Sequence, residues 1–203
     1  WVLASLMCFN KGYEASLNRD IDNMGFQIVV TAKGCPYEAA TLMLKGGTSL
    51  RYMKEEVRDK VAAHEEVEGT TPMLMQAIFD PNKGEDGGMA AYLGVDPVTF
   101  PKMKTYLEFK QGEWFTDSTA YETVLGYEAA ELEQRSVGDE IFVPDKDKIM
   151  KVVGIFDRTG TQDDGILFVP LQATQRIFNL PGKLTGVGIK LKDIQNISEV
   201  EED

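Results

Sequence analysis

The sequence predicts an α+β fold, and three observations predict it. Residues 137–178 hold three short apolar runs, separated by Pro, Asp, Lys and Gly clusters and followed by a helical repeat. Ahead of them, helical stripes and short Val- and Ile-rich runs follow one another with no internal repeat. One Gly- and Asp-rich stretch, residues 81–88 (PNKGEDGG), interrupts the pattern and is the candidate boundary.

Taken in order, Leu3, Leu6, Met7, Tyr13, Leu17, Ile21 and Met24 recur at helical steps apart from one longer step, and Gly25 is a plausible stop. Residues 26–32 (FQIVVTA) then predict a strand whose adjacent apolar residues are buried on both faces. Gly34-Cys35-Pro36 reads as a turn, residues 37–44 as one short helix, and Gly46-Gly47 as its end. Residues 51–64 predict an amphipathic helix, with Tyr52, Val57, Val61 and Ala62 inward and Lys54, Glu55, Arg58 and Asp59 outward. Residues 73–79 predict a strand, with Met73 and Met75 packing on one face.

Beyond the loop, residues 89–95 predict a strand, and Asp96-Pro97 opens a turn or short helix towards Lys104. Residues 127–135 predict a helix whose Glu128, Glu131 and Glu133 face water. The β-β-β-α unit follows, with strands at 141–143, 149–156 and 166–169, since short Val-, Ile- and Phe-rich runs bounded by turn formers favour strands. Pro170 suits the first turn of the closing helix, where its missing N–H has no partner to lose. Leu171, Thr174, Ile177 and Phe178 form its apolar face, and residues 179–182 stop it. Residues 187–191 predict a last strand, and a further helix starts at 194.

Composition excludes more than it identifies. A 203-residue chain with 43% hydrophobic residues can bury a core. Its net charge of −12 argues against nucleic acid, because phosphate contacts need clustered Lys and Arg. Its only histidine is His64, and Cys8 and Cys35 lie in different settings, so neither a zinc pattern nor a disulfide framework is present. Residues 1–9 (WVLASLMCF) carry no charge and read either as the end of a membrane span or as a buried helix end.

Several stretches could suggest chemistry. Asp163-Asp164-Gly165 lacks the spaced oxygen ligands of a calcium loop and reads as ordinary Asp-Gly turn chemistry. Residues 84–88 lack the pattern of a phosphate-binding loop. A thiol–imidazole pair of Cys35 with His64 has nothing in the sequence to bring it together. The acidic runs 65–68 and 199–203 read as solvated faces or ends. Cys35, with Pro36 and Tyr37 beside it, is left as a candidate partner contact, with a modification site or a position without a role as alternatives.

A longer-range resemblance joins these pieces. The segments Tyr92-Leu93-Gly94-Val95-Asp96-Pro97, Gly112-Glu113-Trp114-Phe115, Val124-Leu125-Gly126 and Val137-Gly138-Asp139 occur in this order. Val152-Val153-Gly154-Ile155-Phe156, Phe168-Val169-Pro170-Leu171 and Gln175-Arg176-Ile177-Phe178 follow. The ordered series resembles the extracytoplasmic core domain of MacB-like ABC transporter permeases, a group that includes FtsX-like and LolC/LolE-like subunits. The apolar start, the polar extension with Asn18-Arg19-Asp20, and Gly25 before a strand are similar to the passage from the first membrane helix into that domain.

The resemblance implies two lobes: a porter-like α/β lobe and a mixed β/α lobe inserted into it. Residues 1–24 would end the first transmembrane helix and its extension, 25–87 begin the porter-like lobe, 88–183 form the insertion, and 184–203 return. It implies a cytoplasmic ABC ATPase subunit, a second permease subunit in a dimer, and an extracytoplasmic accessory protein or lipoprotein as partners. It places the domain on the periplasmic or outer side of the cell inner membrane, anchored there in the full-length protein. It implies substrate export, lipoprotein release or partner activation driven by ATP hydrolysed elsewhere, and it carries over no catalytic residue, cofactor or metal. The competing reading is a stand-alone soluble ligand-binding protein or enzyme using Asp163, Asp164 or Cys35.

Overall fold

The long strand β3 (Val67–Asp80) is the spine on which the other elements assemble. The computed structural model describes residues 11–12, 25–32, 51–80 and 88–193. The first part of β3 pairs antiparallel with β11 (Gly186–Leu191), which in turn pairs antiparallel with β1 (Ile28–Thr31). The later part of β3 pairs antiparallel with β4 (Gly88–Val95), from Met73 opposite Val95 to Asp80 opposite Gly88. The sheet therefore runs without a break across the boundary expected near residue 87.

Beyond β4 lies β9 (Ile166–Pro170), parallel to it, then β6 (Glu122–Leu125), antiparallel to β9 and parallel to β8 (Lys148–Phe156). At the far side β8 carries both β5 (Phe109–Gly112) and β7 (Glu140–Val143). Two short strands, β2 (Met53–Lys54) and β10 (Lys183–Leu184), form a separate pair. The helices are α1 (Glu56–Ala62), α2 (Thr99–Met103), α3 (Tyr127–Glu133) and α4 (Leu171–Ile177), and a 3-10 turn spans Gln162–Gly165.

Alternation along the strands builds a core on each face. Tyr92, Leu167 and Val169 join Met150, Val152 and the Ala129 and Ala173 faces of α3 and α4. Their neighbours Leu93 and Phe168 join Phe100, Phe115, Val124 and Phe156 on the other side. Central strands covered on both faces read as unbroken apolar runs, which is the pattern of β9. On α4, Leu171, Thr174 and Ile177 are buried and Phe178 packs partly buried against the core, as their spacing predicts. Gly94 lets this helix close on the sheet, since a Cβ there would meet the Thr174 side chain at 2.7 Å.

Several expectations are revised. In place of a helix over 51–64, Met53 is buried in a strand opposite Leu184, and α1 starts only at Glu56. A cross-chain pairing that buries Met53 beside Leu74 and Leu184 outweighs the local helical period. Tyr52, Val57 and Val61 face inward as expected, but Ala62 is exposed. The strand expected at 73–79 starts six residues earlier (73 − 67), because Val67 pairs with Leu191 and is buried. The acidic run at 65–68 thereby loses two residues to the sheet. Strands β5 and β6 have no counterpart in the expected order, being short and, in β5, mostly exposed. Helix α3 stops at Glu133, because Gln134 takes a left-handed conformation (φ 52°), and Glu133 is half-buried. The helical stripe over 3–24, residues 33–48 and the helix expected from 194 lie outside the described residues.

Candidate functional site

The most organised polar arrangement is buried where α2, the 3-10 turn and the segment leading into β1 meet. Helix α2 is placed by Asp96, whose Oδ1 accepts from the N–H of Val98 (3.0 Å), the N–H of Thr99 (2.7 Å) and the Thr99 hydroxyl (3.0 Å). A carboxylate bonded to the free N–H groups of a helix start is a standard cap. Phe100 and Met103 anchor the helix in the core, and its end delivers Lys104 into the interior.

The 3-10 turn delivers the counter-charge. Asp164 is consumed locally: its carboxylate accepts from the Thr159 N–H and hydroxyl and the Gly160 N–H, each at 2.8 Å. Burial pushes this carboxyl's pKa up, but the hydrogen bonds from Thr159 and Gly160 outweigh it and hold the group below the usual aspartate range. Asp163, aligned by the Thr161 hydroxyl accepting from its N–H at 3.2 Å, instead faces Lys104.

Lys104 Nζ donates to Asp163 Oδ2 at 3.1 Å and to the Tyr106 hydroxyl at 3.0 Å, and the Tyr106 hydroxyl donates to Asp163. The two charged side chains are only 8% and 5% exposed. The ammonium also lies 5.0 Å from the centre of the Phe26 ring and 5.3 Å from that of Tyr106. Burial, with the bond to Asp163 second, pushes the Tyr106 hydroxyl above its ordinary pKa, so it stays a donor. Removing two charges from water is costly, and their attraction offsets this only with good geometry and further hydrogen bonds; here the Tyr106 hydroxyl bonds both partners. Lysine and carboxylate are spent on each other, so the arrangement positions chain segments and offers no free acid, base or ligand donor.

Beside it lies a half-open cleft of about 90 Å³ lined mainly by Pro101, Leu107, Phe109, Trp114 and Phe156 with Lys104. Trp114 stacks on Phe115 and Phe156, and its buried Nε1–H has no acceptor.

The residues singled out from the sequence are distributed differently. Asp164 behaves as turn chemistry, whereas Asp163 is half of a buried ion pair, which corrects its reading as a turn residue alone. Its burial also leaves it closed to substrate in the competing enzyme reading. His64 accepts from the Glu66 N–H through Nδ1 (3.2 Å) just past α1. Met73 is core, as expected. Cys35, Pro36 and Tyr37 lie outside the described residues. Sequence reasoning missed Lys104, Tyr106 and Phe26, for a lysine after a short helix carries no pattern that marks it as buried.

The sequence profile of the MacB-like periplasmic core domain matches residues 2–203. Two solved structures are similar in fold. One is the extracellular domain of the noncanonic ABC-type transporter YknZ from Gram-positive bacteria, at 14% identity and a TM-score of 0.60, over 85% of this chain and 86% of that one. The other is the periplasmic region of MacB from Actinobacillus actinomycetemcomitans, also at 14% identity and a TM-score of 0.60, over 89% of this chain and 83% of that one. No curated protein matches the chain by sequence.

Proposed function

This chain belongs to the family of MacB-like periplasmic core domains, and from that premise we propose that it is the extracytoplasmic working part of an ABC transporter permease. In this reading the ATP is hydrolysed by a cytoplasmic partner subunit or a fused domain, and two permease subunits act as a dimer in the cell inner membrane. The domain converts the resulting movement into export of a substrate, release of a lipoprotein or activation of a partner outside the membrane. Residues 1–24 comprise the end of the first membrane helix and its extracytoplasmic extension, and the body divides into a lobe of residues 25–87 and 184–203 and an inserted lobe of 88–183. The return of β11 to lie between β1 and β3 supports that division. Cys35, Pro36 and Tyr37 are the proposed contact with a partner.

The observation that carries the reading is the family match along nearly the whole chain. The buried Lys104–Asp163 pair fits it, because it ties segments together and its two charges are spent on each other. The full-length protein, expressed with its neighbouring genes, should fractionate with membranes and co-purify with an ATPase. Recovery in the soluble fraction with no ATPase attached would sink the proposal.

A further inference from the structure

We infer that Lys104 is the positioning residue that holds Gly25 and Phe26 in one fixed attitude to helix α3. Four contacts make the path. Gly25 has φ +80° and rests directly on the end of α2: a Cβ there would lie 2.2 Å from the Met103 carbonyl oxygen. The next residue, Phe26, places its ring 5.0 Å from the Lys104 ammonium. The same ammonium bonds Asp163. The carbonyls of Asp163 and Asp164 then abut Gly126, where a Cβ would lie 2.2 and 2.4 Å from their oxygens, and Gly126 caps α3.

Each contact is close and largely shielded from water, so the path is stiff. The ion pairs Arg58–Asp59, Arg158–Glu128 and Lys190–Glu68 are exposed and add little by comparison. Regular pairing with β11 orients the chain only from Gln27, whose N–H donates to the Ile189 carbonyl. Between Gly25 and that point, Phe26 packs against the core that holds Phe100 and Phe168, and Lys104 of the inserted region adds the charged contact that continues to Asp163. Movement that reaches Gly25 is therefore passed to the α2–α3 side of the domain as a rigid turn. The ion pair is a coupling joint, and a charged joint in place of an apolar one sets a single geometry through directed hydrogen bonds.

The inference rests on the transporter reading, and its test keeps the two apart. Spin labels go at Gln27→Cys, next to Phe26, and Leu132→Cys, the latter on the exposed face of α3, in the full-length permease with its ATPase and no other cysteine. Distances are measured with and without nucleotide. The unaltered joint should give a narrow distribution that nucleotide does not shift. The triple variant K104M/Y106F/D163L, which replaces the joint with apolar groups and leaves no orphaned partner, should broaden it and make it nucleotide-dependent, while ATP hydrolysis continues. F26L, which keeps the ion pair and removes the ring, should broaden it less. A nucleotide-dependent shift without any substitution, or a narrow and unshifted distribution in both variants, overturns the inference. Failure of the transporter reading is separate, since it shows as the absence of an associated ATPase.

Discussion

Lys104 and Asp163, 59 positions apart in the chain, meet at 3.1 Å in the interior of the domain. The pair is a bond between two parts of the chain that local sequence does not connect. Its energetics are unequal in the two directions, and this makes it testable.

Removing one partner leaves the other charge buried. Lys104→Met should cost about 3–5 kcal/mol, because Asp163 loses its counter-charge while staying inside. The double variant K104M/D163L should recover much of that loss, since well-packed apolar residues replace an ion pair at little net cost. Urea unfolding of the parent, Lys104→Met, Asp163→Leu and the double variant measures the coupling. Additive losses would show that the pair is not energetically joined.

The joint depends on a glycine that no polar pattern marks. Gly126→Ala places a methyl group where the Asp163 and Asp164 carbonyls now lie, so the 3-10 turn must move. Gly165→Ala, at the end of the same turn, meets no atom within 4 Å. The first should lower stability by about 1–3 kcal/mol, the range for overpacking, and the second by little. Equal losses would show that the turn is not held by the close approach at Gly126.

Asp164 predicts a pH dependence of known sign. Its folded pKa is depressed, so its contribution is complete above the unfolded value of about 3.9 and is lost as pH falls through the lower folded value. Asp164→Asn should unfold at lower urea than the parent at neutral pH. The gap between them should narrow as pH drops through the acid range. A gap that stays constant would mean the carboxylate charge is not what holds Thr159 and Gly160.

The β7–β8 hairpin gives a contrast between faces. Phe142 and Ile149 are cross-strand partners, 56% and 55% exposed, while Met150 on the other face is fully buried. Met150→Ala should cost about 2–5 kcal/mol. Phe142→Ser should change stability by no more than about 0.5 kcal/mol. A large loss at Phe142 in the isolated domain would show packing there that the monomer does not account for.

Much of the fold was legible from local pattern. The β-β-β-α unit could be read because β8, β9 and α4 are each dense in Val, Ile, Leu or Phe and bounded by turn formers, so neighbouring residues alone decide their state. The Asp96-Pro97 opening of α2 was legible for the same reason, its capping carboxylate lying within three residues of the N–H groups it serves. Strand β2 was not, because Met53 sits inside a helical period and is drawn out of it only by Leu184. Strand β6 was hidden likewise: Glu122–Leu125 is too short to show a period, and its neighbours β8 and β9 define it.

By itself the sequence determined the α+β class, the apolar faces that form the core, the acidic surface and, through the order of its motifs, the family. Those features depend on composition and near-neighbour periodicity, which are written in one dimension. Only the tertiary structure decided that Lys104 is buried, that Phe26 and Tyr106 flank it, and that Asp163 is its partner while Asp164 is not. Two adjacent aspartates look alike along a chain. They part company when the turn aims one carboxylate at its own backbone and the other at a cation brought in by a distant helix.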